Sequence, residues 1–238
     1  MSYTSHPTVV HGQVWSATDQ NTYVAGNQQA LWVFTTKGDL AVALDADDLS
    51  RLAVGGNGKI ITADSGQSTG LLYKVPFFEL KVEDSYPPLS GVNGAALELV
   101  ESSGAGTEKP AWFQLRFDPS TDEGRIWNYR VPADFTTLYF TYYMASANTD
   151  KDAIIGAKVA AIGDGDSSVT AKVFASANTT TERVPNSSGE EDIGSITMTN
   201  DDSGVLNDRG CLILYRDANN GSDNADSGDL VMTQVWFE

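Results

Sequence analysis

Between residues 77 and 237 the chain runs through a succession of short apolar or alternating stretches, with Gly, Asn, Asp, Ser and Pro between them and no helical periodicity anywhere in the region. Strand-like runs at intervals of about 8–15 residues, bounded by turn formers, can bury their apolar sides only by pairing into sheets that pack on one another. The predicted strands are Phe77–Val82, Ala95–Glu101, Ala111–Phe117, Arg125–Val131, Thr137–Ala145 and Ala153–Ile162. Val169–Phe174, Thr179–Val184, Ile193–Thr199, Gly210–Tyr215 and Leu230–Phe237 follow. Alternation sets the faces: Phe113, Leu115 and Phe117 point one way and Gln114 and Arg116 the other, while Ile196 and Met198 oppose Ser195, Thr197 and Thr199. The expected architecture is mainly β, with a C-terminal jelly-roll-like β-sandwich over 76–238.

Two different zones precede it. In residues 1–36, Ser16 is a good N-cap and Asp19 completes a capping box. Tyr23, Val24, Ala30, Leu31 and Phe34 then recur near a 3.6-residue period, which predicts an amphipathic helix. A lone helix of about 17 residues is marginal in water, so this one needs a surface to dock on. Residues 37–75 hold short apolar runs around Gly55-Gly56-Asn57-Gly58, and the Asn-Gly step predicts a hairpin joining the runs on either side. So few short strands bury little by themselves. The expected organisation is an N-terminal helical anchor (1–36), a small β linker module (37–75) and the sandwich. Tyr23, Val24, Leu31, Trp32, Phe34, Leu40, Leu52 and Ile61 are the candidate assembly residues.

The formal charge is −17, from 32 acidic and 15 basic residues. A surface so negative repels phosphate backbones and anionic lipid, which argues against nucleic acid as a partner. No apolar stretch reaches the ~20 residues of a membrane-spanning helix, and none is preceded by a basic leader, so the chain is expected to be made and folded in a cytoplasm.

Catalytic constellations are absent from the pattern. The single Cys211 sits in an apolar run, far in sequence from His6 and His11, and reads as a small core residue. Glu98, Glu101 and Glu108 show no spacing that would pair them for glycoside hydrolysis. The tract Asp217–Asp229 is rich in oxygen donors, and Asp217, Asn219, Asp223 and Asp226 are candidate ligands for a structural calcium ion; no other cofactor is indicated. Arg216 and Asp217 form a candidate ion pair at a strand end. Trp127 and Tyr129 share a face with Val131 and read as core. Trp112 is a further aromatic able to stack on a sugar ring, and Tyr139 and Tyr143, which lie opposite Leu138, Phe140, Tyr142 and Met144, are the candidate glycan contacts.

One group of residues resembles a motif of tailed-bacteriophage structural proteins. It comprises Gly38-Asp39-Leu40, then Arg51-Leu52 with Gly55, Asn57-Gly58, Ala63-Asp64-Ser65 and Thr69-Gly70-Leu71, with Tyr73 where the family commonly has Trp. Val131–Phe135, Thr179–Pro185, Ile196–Thr199 and Leu214–Asp217 are similar to a C-terminal domain of such proteins. The resemblance implies a virion location, as a short fibre, spike or capsid decoration. It also implies homotrimeric assembly and contacts with other capsid or tail proteins. No enzymatic activity is expected, and the attached sandwich would serve adhesion to a host surface glycan. The competing readings are a receptor-binding tail fibre with a carbohydrate-binding sandwich and a polysaccharide-degrading enzyme.

Overall fold

Alternating side chains on extended backbone place every second residue on one face, and in this protein that periodicity builds two sheets with a shared interior. The computed structural model describes residues 16–21, 35–44, 49–56, 58–74, 76–104, 108–132, 136–166 and 169–238. The chain divides into two units, residues 1–74 and 75–238.

In the first unit, the capping box forms as expected: Asp19 N–H donates to Ser16 Oγ (3.1 Å) and Ser16 N–H to Asp19 Oδ2 (3.0 Å), opening helix α1, Ala17–Asp19. Tyr23, Val24, Leu31, Trp32 and Phe34 lie outside the described residues. Two hairpins follow, β1 (Leu40–Ala43) with β2 (Leu49–Leu52) and β3 (Ile60–Ala63) with β4 (Leu71–Lys74).

This corrects the expected hairpin. The strands on either side of Asn57-Gly58 do not pair with each other, because β2 pairs with β1 and β3 with β4. Asp39 organises the first: its carboxylate accepts N–H bonds from Thr35 (2.9 Å), Thr36 (2.8 Å) and Val54 (3.1 Å), and Arg51 lies 3.3 Å away. Those donors, the Thr35 amide foremost, hold the Asp39 carboxyl below the usual carboxylate range. Asp64 organises the second, donating its N–H to Gly70 O (2.9 Å) and accepting from Gly66 N–H (2.9 Å). The hairpins meet where the Tyr73 ring crosses Gly55, since a Cβ at Gly55 would come within 2.6 Å of that ring. The motif residues are thus used in building the unit. Leu40 and Ile61 remain 39% and 44% exposed and Leu52 half-buried, and among the described residues no hydrophobic residue before Leu80 is buried.

The second unit is a jelly roll. One sheet runs β13 (Asp192–Thr197), β10 (Thr137–Met144), β15 (Leu230–Phe237), β8 (Ala111–Phe117), β7 (Ala96–Glu101), with β5 (Phe78–Glu79) paired to the end of β15. The other runs β12 (Asn178–Arg183), β11 (Asp152–Ile162), β14 (Arg209–Arg216), β9 (Glu123–Arg130), β6 (Asn93–Gly94). In chain order β8 to β15, successive strands fold so that β8/β15, β10/β13, β9/β14 and β11/β12 are antiparallel neighbours, four in each sheet. That is the double Greek key of a jelly roll.

Phe117, Leu138, Phe140, Tyr142, Met144 and Phe237 from the first sheet, none more than 0% exposed, meet Trp127, Ile155, Val159, Leu212 and Leu214 from the second. Two of the large polar aromatics inside the sandwich hydrogen-bond to backbone carbonyls. Trp127 Nε1 donates to Lys81 O (2.8 Å), and Tyr142 Oη to Arg183 O (3.1 Å). Cys211 lies on β14, half-buried beside Tyr86, and burial raises its thiol pKa.

Two predicted strands are corrected. Phe77–Val82 yields only the two residues of β5, and the backbone then turns into a 3-10 helix, Val82–Asp84, whose end is clamped by buried Arg125. That guanidinium donates to Ser85 Oγ (3.0 Å), Ser85 O (2.7 Å) and Ala95 O (3.2 Å). Val169–Phe174 is not a strand: Val169–Ala171 is a 3-10 turn, and β11 already has β12 and β14 on its two edges.

The acidic tract after β14 is the largest correction. Arg216 does not pair with Asp217. Its Nε and a terminal nitrogen engage Asp223 side-on (3.0 and 2.8 Å), with Arg216 0% and Asp223 2% exposed, and Asp223 also accepts from Ile154 N–H (3.0 Å). Asn224 and Ala225 bond Asp152, so the tract is pinned across the start of β11. Removing one partner of a buried pair leaves the other charge uncompensated and costs about 3–5 kcal/mol. Asp223→Ala should therefore lower unfolding stability by about that much in urea titrations; a loss below about 1 kcal/mol, the scale of an exposed pair, would contradict this account.

Candidate functional site

A sheet whose inner face fills the core leaves its outer face free to carry chemistry. On the β13-β10-β15-β8-β7 sheet, the outward residues of β10 are Tyr139, Thr141 and Tyr143, at alternate positions between the buried Leu138, Phe140, Tyr142 and Met144. The two tyrosines expected from sequence as glycan contacts thus share one outer face, at the two ends of one strand.

A β-bulge shapes the middle of this face. Thr141 is registered with Gln234 but Tyr142 with Met232, so Thr233 is an extra residue in β15. The bulge switches the inward positions of β15 from Leu230 and Met232 to Val235 and Phe237, and turns the consecutive polar pair Thr233 and Gln234 outward. Beyond Met232, β15 no longer pairs with β8, the last partner being Leu115. A groove of about 740 Å³ opens at this point, lined by Trp112, Thr141, Tyr143, Glu191, Thr233 and Gln234.

Trp112 is 40% exposed and flanks the groove from β8. Tyr143 Oη donates to Gln114 Oε1 (2.8 Å), and Gln114 Nε2 donates to Glu98 Oε2 (3.3 Å). Glu98 also faces Arg116 (3.5 Å), whose Nε and a terminal nitrogen hold Asp229 (3.0 and 2.8 Å). This chain fixes the ring of Tyr143 and leaves Trp112 projecting. Burial raises the Tyr143 hydroxyl pKa above the usual tyrosine range; Arg116 opposes the shift, and Glu191 and Glu98 add to it. Glu191 Oε1 accepts from Thr233 Oγ1, and Gln234 Oε1 from Thr141 Oγ1, both at 3.4 Å.

Tyr139 does not line the groove. It stacks on Trp236 of β15 (5.5 Å between ring centroids, 13° between planes), and Phe77 tilts against the same indole (6.0 Å). Because Tyr139 and Thr141 are two residues apart on a strand, this aromatic platform begins roughly 7 Å along the same face. Trp236, Thr233 and Gln234 were missed in the sequence. The signal was present, since apolar 230, 232, 235 and 237 break strict alternation at one point and announce the bulge.

The other sheet has a recess of about 540 Å³, floored by Ile126, Ile213 and Tyr215 and walled by Val92 and Phe174, with Lys158 over the Tyr215 ring (5.3 Å). Its polar side chains are Ser90, Ser176, Lys158 and Tyr215.

The candidate calcium ligands are not assembled. Asp223 is spent on Arg216, Asp217 accepts from Asn220 (3.1 Å), and Asp226 is exposed near Lys151 (3.7 Å). Among the described residues no group of three or more His, Cys, Asp or Glu side chains is placed to hold a metal ion. The carboxylates at the groove are tied into ion pairs and hydrogen bonds: Glu98 faces Arg116, and Glu191 faces Thr233.

No protein-family model matches the chain, and no curated protein matches it. Several solved structures do. A carbohydrate-binding module, CsCBM6-3 from Clostridium stercorarium in complex with cellobiose, is 13% identical over 67% of this chain and 92% of its own, with a TM-score of 0.35. The CBM22-1 xylan-binding domain of Paenibacillus barcinonensis Xyn10C is 11% identical over 64% of this chain and 92% of its own (TM-score 0.33). TmCBM27, a module described for mannan recognition, is 10% identical over 68% of this chain and 96% of its own (TM-score 0.35).

The geometry separates site from core by stability. Trp112→Ala should leave the unfolding free energy from urea titration within about 0.5 kcal/mol of the parent, the range of a surface substitution. Phe140→Ala, on the same sheet but facing inward, should cost about 3–5 kcal/mol. Comparable losses for the two would place Trp112 in the core and remove it from the site.

Proposed function

We propose that this protein is a non-catalytic adhesion protein whose sandwich binds glycans in the groove between β8, β10 and β15. The observation that carries the reading is the pairing of a projecting indole, Trp112, with a ring immobilised by hydrogen bonds, Tyr143, across a cleft rimmed by Thr141, Glu191, Thr233 and Gln234. Sugars present a CH-rich face that packs on aromatic rings and a hydroxyl-rich edge that needs polar side chains, and this cleft offers both. The stacked Tyr139 and Trp236 extend the surface along the sheet, as suits a chain of sugars rather than a single one.

The setting we propose is a virion, with the sandwich carried as a short fibre, spike or capsid decoration and residues 1–74 holding it to capsid or tail proteins and to two further copies. The resemblance of Gly38–Tyr73 to the phage motif supports this, and so does exposure. Leu40, Leu44, Val54, Ile60 and Ile61 are 39–49% exposed, an apolar surface that small hairpins cannot cover for themselves.

Two measurements test the proposal. Affinity electrophoresis against a panel of soluble polysaccharides should retard the protein in at least one gel, and Trp112→Ala should weaken that binding at least tenfold, about 1.4 kcal/mol. Binding unaffected by the substitution would move the site elsewhere. Light scattering on the full chain should give about three times the 25.5 kDa chain mass, and a monomer would contradict the assembly role of the first unit.

A further inference from the structure

We infer that the groove selects uncharged, hydroxyl-rich glycans and rejects glycans bearing carboxylate, sulfate or phosphate groups. The inference rests on the reading of the groove as a glycan site and specifies its ligand by charge and hydrogen-bond polarity.

Among the described residues Glu191 lines the groove, and Glu98, Arg116 and Asp229 adjoin it through Gln114 and Tyr143. Arg116 is committed: it donates from Nε and a terminal nitrogen to Asp229 (3.0 and 2.8 Å) and faces Glu98 from its other terminal nitrogen (3.5 Å). An anionic sugar would have to compete with two carboxylates already in contact with that guanidinium. The rest of the charge is repulsive to it, with three acids against one base at the site on a chain of net charge −17.

Hydrogen-bond polarity points the same way. Glu191 carries two carboxylate oxygens, of which one accepts from Thr233, and Gln234 Oε1 has a single donor in Thr141. The Gln114 amide is turned inward on both sides, accepting from Tyr143 and donating to Glu98. The groove therefore presents the Glu191 carboxylate as an acceptor beside donors from the Gln234 amide and the Trp112 indole. A neutral sugar's hydroxyls donate and accept and can meet both kinds of group, whereas a carboxylate, sulfate or phosphate only accepts and leaves Glu191 facing a like charge.

The test uses the full chain and pairs of polysaccharides that share a backbone but differ in charge: β-mannan with polymannuronate, carboxyl-reduced polygalacturonate with polygalacturonate, and hydroxyethyl cellulose with carboxymethyl cellulose. In titrations at low salt, the neutral member of whichever pair is bound should bind at least tenfold tighter than its anionic counterpart. The ratio should shrink as salt rises to ~0.5 M, where the Debye length falls to a few ångströms. Glu191→Gln should shrink it at low salt. Equal or tighter binding of the anionic member would overturn the charge inference and leave the glycan reading standing. Failure of all six polymers to bind would overturn both.

Discussion

Phe117, Leu138, Phe140, Tyr142, Met144 and Phe237 pack against Trp127, Ile155, Val159, Leu212 and Leu214, and the remaining features of the sandwich depend on that contact between sheets. It satisfies the inner faces of both sheets with close-packed side chains, so Trp112 on the outer face of the β10 sheet is not needed for the core. The buried Arg216–Asp223 pair and the Arg125 clamp serve the same contact from its margins, holding the long loop before β15 and the leader before β7 against the strands.

The groove arises from a local departure from regular pairing. One inserted residue, Thr233, shifts the phase of β15, so that two neighbouring polar side chains face outward while the apolar ones continue inward. Past that point β8 and β15 no longer pair, and Trp112 and Gln234 line the resulting gap. A bulge beside a candidate site is what backbone physics would lead one to expect, because it re-aims side chains at small cost to the core.

Much of this was legible in the sequence, for a definite reason. Strands with strict alternation, such as Ala111–Phe117 and Thr137–Met144, state their own faces, and Tyr143 followed directly from Tyr142 being apolar-side. What was not legible depends on partners remote in the chain. Arg216 could be seen near Asp217, but only the loop's return across β11 brings Asp223 to it. Val169–Phe174 has a strand-like composition, yet β11 has no free edge to receive it. Asn57-Gly58 has the chemistry of a hairpin turn, but Asp39 and Asp64 close two other hairpins around it. The assembly residues Tyr23 to Phe34 lie outside the described residues, while Leu40 and Ile61 are seen exposed on short strands.

The account stands on the outer face of the β10 sheet being the one that meets sugar, and the tryptophan indoles report on it residue by residue. In a two-dimensional NMR titration of the full chain with a bound neutral oligosaccharide, the indole N–H resonances of Trp112 and Trp236 should shift with saturation. That of Trp127, locked in the core on the Lys81 carbonyl, should stay in place. Shifts confined to residues around Ile213 and Tyr215 on the opposite sheet, with Trp112 unmoved, would contradict it.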